Sequence, residues 1–316
     1  MTEIVAHSDA MREVMGLARR VAATSANVLV TGESGAGKDA LAAFLHAHSV
    51  RRDGPLVKID CAALPRDLLE AELFGYERGA FTGATEARPG RMEAAHQGTL
   101  VLDEVAHLSV DAQAKLLRVI EAREFERLGG RRTIKVDARL VALTNVDLDN
   151  AVKRRAFRED LFYRLNVVRL HVPPLRERRE DIEELAHSFL KTYAAKHGRA
   201  VKDFVAEALA VLKSYEFPGN VRELANTIER AVIVAEGAEV KTVDLPEAIR
   251  AAARLREKAA EKRRTLAELE AEYIIETLSA TGGNKTEAAR ILGISRKNLY
   301  EKLARYKQVA GETSEG

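Results

Sequence analysis

The residues best suited to chemistry lie in one short run. Gly32-Glu33-Ser34-Gly35-Ala36-Gly37-Lys38-Asp39 follows the apolar stretch Val28–Val30 and opens a helical pattern over Lys38–Ala47. Glycines at this G-x-x-x-x-G-K spacing let successive backbone N–H groups turn inward onto phosphate oxygens, and the helix start adds partial positive charge. Lys38 would then reach the β- and γ-phosphates of a nucleotide. The plainer alternative is a glycine-rich turn ahead of an ordinary helix. Asp39 stands where a Ser or Thr hydroxyl usually meets Mg²⁺, so a second signal is needed.

That signal comes 65 residues after Lys38, where the apolar run Thr99–Leu102 ends in Asp103-Glu104. A buried strand that delivers two acids to its C-terminal end suits a metal-assisted hydrolysis. Asp103 would hold Mg²⁺, and Glu104 would orient and polarise the attacking water. Two exposed acids at a strand end are common alone, but coupled to the phosphate loop they point to ATP and its hydrolysis. Asn145 closes the next strand candidate and could hydrogen-bond the γ-phosphate, although polar residues are common at such positions.

These groups need a scaffold, and the first half of the chain supplies its pattern. Val28–Val30, Leu56–Ile59, Thr99–Leu102 and Arg139–Leu143 read as buried strands, with helical stretches such as Lys38–Ala47 and Ala112–Ala122 between them. Strand and helix in alternation imply an α/β fold with a parallel sheet flanked by helices. After Pro173-Pro174 the strand signals nearly stop. Residues 180–196, 203–214 and 221–236 read as helices, with Asn220 after Pro218-Gly219 as a plausible N-cap. The expected division is 1–172 for the α/β part, 173–240 for a helical lid, 241–264 for a linker, 265–308 for an all-α unit and 309–316 for a disordered tail.

Composition fits this plan. The 316 residues are 46% hydrophobic and 31% charged, which suits a chain with real cores and not a disordered one. Tryptophan is absent and aromatics are only 5%, so burial rests on Leu, Val, Ile and Ala. Neither a signal peptide nor an apolar run long enough to span a bilayer is evident, and the single cysteine, Cys61, has no partner for an internal disulfide. A cytoplasmic location with no membrane partner is expected. The formal net charge is only +2, yet residues 285–307 hold seven basic residues against two acidic ones, a net of +5. A solvated helical face is the ordinary reading of such a run.

The motif inside that run argues for more. Asn284 to Leu303 reads as helix, turn, helix, with Gly293 in the turn and Ser295 as N-cap of the second helix. Ala288, Ala289 and Leu292 would pack against Ile294, Leu299 and Leu303, and a preceding helix over roughly 266–280 would complete the core. The second helix would carry Arg296, Lys297, Asn298 and Tyr300 toward a DNA major groove, with Lys302 and Arg305 near phosphates. A basic bundle used only for dimerisation is the alternative.

One segment carries a resemblance beyond these general patterns. Glu72-Leu-Phe-Gly75-Tyr76-Glu-Arg-Gly79-Ala80-Phe81-Thr82-Gly83-Ala84 is similar to the AAA+ activators of sigma-54 RNA polymerase, with Gly79 to Ala84 spelling their GAFTGA loop. The resemblance covers residues 1 to about 240, and the C-terminal motif resembles the Fis-type helix-turn-helix of the same family. It implies an AAA+ P-loop fold with a helical lid, and a loop of Gly79, Ala80, Phe81, Thr82, Gly83 and Ala84 that contacts sigma-54. It also implies Arg158 and Arg164 as arginine fingers toward a neighbouring subunit's ATP, and Arg222 as a sensor on the lid. The implied partners are sigma-54 RNA polymerase, upstream double-stranded DNA and further copies of the chain, from a dimer to a hexameric ring. Asp39 is a mild departure from the family's usual Glu. Asp60, where the family normally carries Asn, is a larger one, because two carboxylates brought together would force a proton uptake or a separation. Asp60 is therefore expected either to alter a switch acting on Glu104 or to point elsewhere.

The resemblance thus implies an ATP-hydrolysing activator that opens sigma-54 promoters. A DNA-binding regulator with a vestigial or sensory ATPase domain is the alternative, and another AAA+ remodeller is a third reading. The AAA+ pattern starts almost at Met1, so control by a separate protein, or a chain shortened from a longer one, is expected.

Overall fold

The computed structural model describes residues 4–261 and 266–303. Contacts divide it into two compact units, Met1–Arg250 and Ala251–Gly316. The first unit begins with α1 (Asp9–Ala22), β1 (Val28–Thr31), α2 (Lys38–Ala47), β2 (Leu56–Asp60) and α3 (Arg66–Phe74). A hairpin of β3 (Gly75–Tyr76) and β4 (Arg88–Pro89) leads through the short α4 (Arg91–Ala94) to β5 (Thr99–Asp103). Next come α5 (Val110–Ala122), a second hairpin of β6 (Glu124–Glu126) and β7 (Thr133–Lys135), then β8 (Arg139–Thr144), α6 (Leu148–Lys153), α7 (Glu159–Leu165) and β9 (Val168–His171).

The main sheet is five-stranded and parallel, in the order β2-β5-β8-β1-β9. Its strands sort side chains by the two-residue period of extended chain. Leu29, Leu100, Leu102, Leu140 and Ala142 enter one core, with Leu116 and Val119 of α5 and Leu161 and Leu165 of α7. Val28, Val30, Val101, Val141 and Leu143 enter the other, with Met11, Met15 and Ala18 of α1 and Leu41 and Leu45 of α2. Strands buried on both faces explain why these segments read as unbroken apolar runs. One buried cation belongs to this scaffold: the guanidinium of Arg139 donates to the carbonyls of Val21, Ala22 and Ala26 at 2.9–3.1 Å, satisfying the C-terminal end of α1.

The helical lid contains α8 (Asp181–His197), α9 (Ala206–Ser214) and α10 (Asn220–Val234), with a parallel pair of two-residue strands, β10 (Asp203–Phe204) and β11 (Glu239–Val240). Its core joins Ile182, Leu190, Leu212, Phe217, Leu224 and Ile228, and extends to Leu245 and Ile249. The stretch read as a linker therefore begins inside this core and continues as α11 (Glu247–Glu261). Asn220 does not serve as an N-cap. Gly219 holds that position, and the Asn220 side chain is used elsewhere, as described below.

The second unit holds α12 (Leu266–Ala280), α13 (Lys285–Ile291) and a helical stretch described from 296 to 303. Asn284 caps α13 by accepting from the N–H groups of Thr286 and Glu287, and Ser295 accepts from Asn298 N at 3.1 Å. Ile274, Ala288, Ala289 and Leu299 form its core, with Leu278, Leu292, Ile294 and Leu303 packed against it. This is the packing expected from the sequence. Arg305 and the tail 309–316 lie outside the described residues.

Candidate functional site

Residues 32–37 form the turn between β1 and α2, and Lys38 and Asp39 open the helix. Gly37 is the N-cap of α2 with φ of +108°, a conformation that side-chain-bearing residues rarely take. The lid closes on this turn. Gly35 O accepts from Val221 N at 3.0 Å and from Arg222 N at 3.3 Å, at the start of α10. A Cβ on Gly35 would lie 2.5 Å from Gly219 O, so glycine is what permits the approach.

Lys38 is buried, and its ammonium donates to Gly32 O at 2.9 Å and Glu33 O at 3.2 Å. Burial lowers its pKa, with Glu104 and Asp103 acting in the opposite direction. Glu104 Oε1 lies 3.9 Å from this ammonium, and Glu104 Oε2 accepts from Asn145 N at 3.2 Å. The structure thus brings Lys38, Glu104 and the end of β8 together. Glu104 itself sits at φ +51°, ψ +51°, a strained conformation for a non-glycine residue of the kind found at functional sites.

Asp103 faces a partner that sequence reasoning missed. Lys58 Nζ lies 2.7 Å from Asp103 Oδ2 and also donates to Asp39 Oδ1. Burial opposes charge on Lys58, but the two carboxylates outweigh it and raise its pKa. The available signal was a lysine two residues before Asp60, in a strand that a parallel sheet lays beside 99–103.

Asp60 pairs in register with Asp103 at the ends of β2 and β5. Its Oδ1 accepts from Ala62 N at 2.9 Å, a local turn, whereas the hydrogen bond to Glu104 comes from Asn145. The expected pressing of Asp60 on Glu104 is not the arrangement seen. Beside it, burial pushes the Cys61 thiol up to about 12, so this cysteine stays protonated and inert at neutral pH.

Glu33, expected at the nucleotide, is tied to the lid by partners that the sequence did not reveal. Arg176 donates to both its oxygens, at 2.6 and 2.8 Å, and Asn220 Nδ2 donates to Oε2 at 3.1 Å. Those bonds hold the carboxyl down to about 2. Asn220 is fully buried: its amide also donates to Ser34 O at 3.1 Å and accepts from Leu175 N at 2.8 Å. Arg222 Nη1 reaches Ser34 Oγ at 3.1 Å, which places it beside the phosphate turn. An open cleft of about 580 Å³, lined by Ser34, Gly219, Arg222 and Asn226, lies next to it.

Arg158 is the N-cap of α7 and Arg164 lies in its last turn, and both are paired within the chain. Arg158 holds Asp160 through bonds of 2.7 and 3.0 Å, and Arg164 holds Glu121 at 2.9 and 3.0 Å. All four side chains are well exposed, so these pairs cost little to exchange for another anion.

Gly79–Ala84 forms the loop between β3 and β4. Gly79 N donates to Ala84 O at 2.8 Å, closing its neck, and Gly79 and Gly83 have φ of +84° and +102°. Phe81 is 41% exposed and meets Tyr76 of β3 edge to face at 5.0 Å. The second hairpin braces the stalk, because Arg127 binds Glu93 through two bonds of 2.8 Å and Glu77 at 3.1 Å.

In the second unit Arg296, Lys297, Asn298 and Tyr300 are exposed. Lys285 Nζ lies 4.9 Å from the Tyr300 ring centroid, and Lys302 binds Glu270 at 2.7 Å, which ties it to α12. Among the described residues, no helix is long and apolar enough to cross a membrane.

Comparison with known proteins agrees with these parts in turn. Residues 4–171 match the family described as the Sigma-54 interaction domain, residues 176–262 the AAA+ ATPase lid domain, and residues 265–306 the Fis family of bacterial regulatory proteins. The chain is 46% identical over 310 residues to the regulatory protein AtoC of Escherichia coli (strain K12), covering 96% of this chain and 67% of that protein. It is 48% identical over 302 residues to the transcriptional regulatory protein ZraR of Salmonella typhimurium, covering 96% and 68%. Among solved structures, NtrX from Brucella abortus in complex with ATP is 37% identical with a TM-score of 0.70, over 96% of this chain and 69% of that one.

Proposed function

The chain belongs to the sigma-54-dependent transcriptional activators, and from that premise we propose that it uses ATP hydrolysis to remodel the closed sigma-54 promoter complex into the open one. In coarser terms it is a transcription regulator with an AAA+ ATPase domain and a helix-turn-helix for DNA. The observation that carries the finer reading is the loop Gly79–Ala84, which offers a half-exposed Phe81 on a braced hairpin of the ATPase domain.

In this account ATP lies along residues 32–39 with Lys38 at its phosphates. Glu104 orients the attacking water, and Asn145 and Arg222 register the γ-phosphate and the lid. The site suits Mg²⁺, since Asp103 and Asp39 are hard carboxylate donors that already converge on one cation, the ammonium of Lys58. Asp103 would hold the ion, which when bound supplies charge neutralisation at the phosphate oxygens. Copies of the chain assemble into a ring, and Arg158 and Arg164 exchange Asp160 and Glu121 for a neighbour's nucleotide. Differences in binding energy between nucleotide states supply the movement of the Phe81 loop, and the loop's position sets its grip on sigma-54. Arg296, Lys297, Asn298 and Tyr300 read upstream DNA, with Lys302 and Arg305 at its backbone.

The test is capture of purified sigma-54 in ATP, in ADP and in a transition-state analogue of ATP hydrolysis. Capture confined to the ATP or analogue state, and abolished by Phe81→Ala, is expected. Equal capture by the Phe81→Ala variant, or no capture in any state, would overturn the reading.

A further inference from the structure

We propose that Lys58 is a positioning residue of the ATPase site that sets how strongly nucleotide binding depends on Mg²⁺. The inference rests on the reading of Asp103 as the carboxylate on the metal side. Lys58 projects from β2, the strand beside β5, and both of its hydrogen bonds go to acids: Asp103 Oδ2 at 2.7 Å and Asp39 Oδ1. Lys38 is occupied differently, donating to two carbonyls of its own loop. Lys58 is therefore the cation that joins the first turn of α2, where Asp39 follows Lys38, to the end of β5.

Charge makes that link consequential. A triphosphate entering beside Asp39, Asp103 and Glu104 meets three carboxylates. Lys38 and Lys58 are the ammonium groups within contact of them. Lys58 is partly exposed, with 43% of its side chain accessible, so it can swing aside when a metal arrives without leaving a buried charge unpaired. While it remains, it screens Asp39 and Asp103 from each other and from the phosphates. The protein thus keeps a substitute cation in the metal-side position, and nucleotide without metal still finds a partly neutralised site. Without Lys58 the two carboxylates would repel metal-free nucleotide and attract Mg²⁺ more strongly.

The experiment measures equilibrium binding of a fluorescent ATP analogue to the full chain in excess EDTA and in Mg²⁺. The quantity read is the ratio of the Kd in EDTA to the Kd in Mg²⁺. Lys58→Met should raise this ratio about ten-fold, which corresponds to about 1.4 kcal/mol, and Lys58→Arg should leave it within about threefold of wild type. Asp39→Asn, which removes one of the screened charges, should lower it. An unchanged ratio in a folded Lys58→Met variant would overturn the proposal. If that variant does not fold, an unchanged ratio in Asp39→Asn would do so instead. Asp103→Asn separates the two levels. If it leaves the Mg²⁺ dependence intact, the assignment of Asp103 and this proposal both fall; if it abolishes the dependence while Lys58→Met leaves the ratio unmoved, only the role of Lys58 falls.

Discussion

Arg176 of the lid grips Glu33 of the phosphate loop with two hydrogen bonds, 2.6 and 2.8 Å long, across 143 residues of sequence. The pairing is bidentate, the geometry in which a guanidinium binds a carboxylate best. It sits beside the hydrogen bonds from the start of α10 to Gly35, so lid and loop are joined by a cluster of polar contacts.

The grip makes a pH prediction. A carboxylate held below its ordinary value contributes stability that is complete above that value and lost as pH falls through the folded one. For Glu33 the window runs from the ordinary 4.5 down to about 2. The melting temperature of Arg176→Met should therefore fall less steeply than that of wild type as the pH drops through this range. Parallel curves would contradict the role given to the pair.

Asn220 is the buried joint behind it. Asn220→Asp keeps an acceptor for Leu175 N but replaces the donor to Glu33 and Ser34 O with a second carboxylate. Leaving such groups unpaired should destabilise the protein by about 1–3 kcal/mol, read by denaturant unfolding. Asn220→Gly accommodates the residue's φ of +53° and adds no carboxylate beside Glu33, but it also leaves Leu175 N without its acceptor, so it too should destabilise the protein.

Glu104→Gln should retain ATP binding and lower the turnover of ATP about 10²- to 10⁴-fold, the range for loss of a positioned base. Radiolabelled phosphate release together with nucleotide binding checks both halves. A variant that loses binding and turnover equally would make Glu104 a structural residue.

Arg158→Ala and Arg164→Ala should each reduce ATPase by about 10³-fold if they act as fingers across subunits. The distinguishing measurement is mixing. A chain with an intact finger but a Glu104→Gln site, added to an Arg158→Ala chain, should restore activity to the latter. Failure of every such mixture would return both arginines to the surface pairs seen with Asp160 and Glu121.

Asp60→Asn should leave ATPase within about threefold and its pH profile unchanged, because an asparagine oxygen can accept from Ala62 N as the aspartate does. A large change would instead assign Asp60 a switch acting on Glu104.

Legibility followed sequence distance. The phosphate loop, Asp103-Glu104 and the turn at Gly293 are written within a few residues, and the sheet that carries them follows from apolar runs of strand length. Ser295 caps its helix because that bond spans three residues. Asn220 carried the same local signal and failed as a cap, since tertiary partners from Glu33 and Leu175 claimed its amide. Arg176 and Lys58 had no local signal of their own. Their roles appear only when the lid reaches the loop and β2 lies beside β5. For Asp60 the sequence left two orientations open, and register brings it beside Asp103 while its side chain turns back to Ala62.

The most direct test of the account is open-complex formation with purified sigma-54 polymerase, a supercoiled sigma-54 promoter and ATP, comparing wild type with Lys38→Ala at high protein concentration. The account predicts promoter opening that requires ATP and is lost in Lys38→Ala. Measurable ATPase with no opening by wild type, or equal opening by the Lys38 variant, would contradict it.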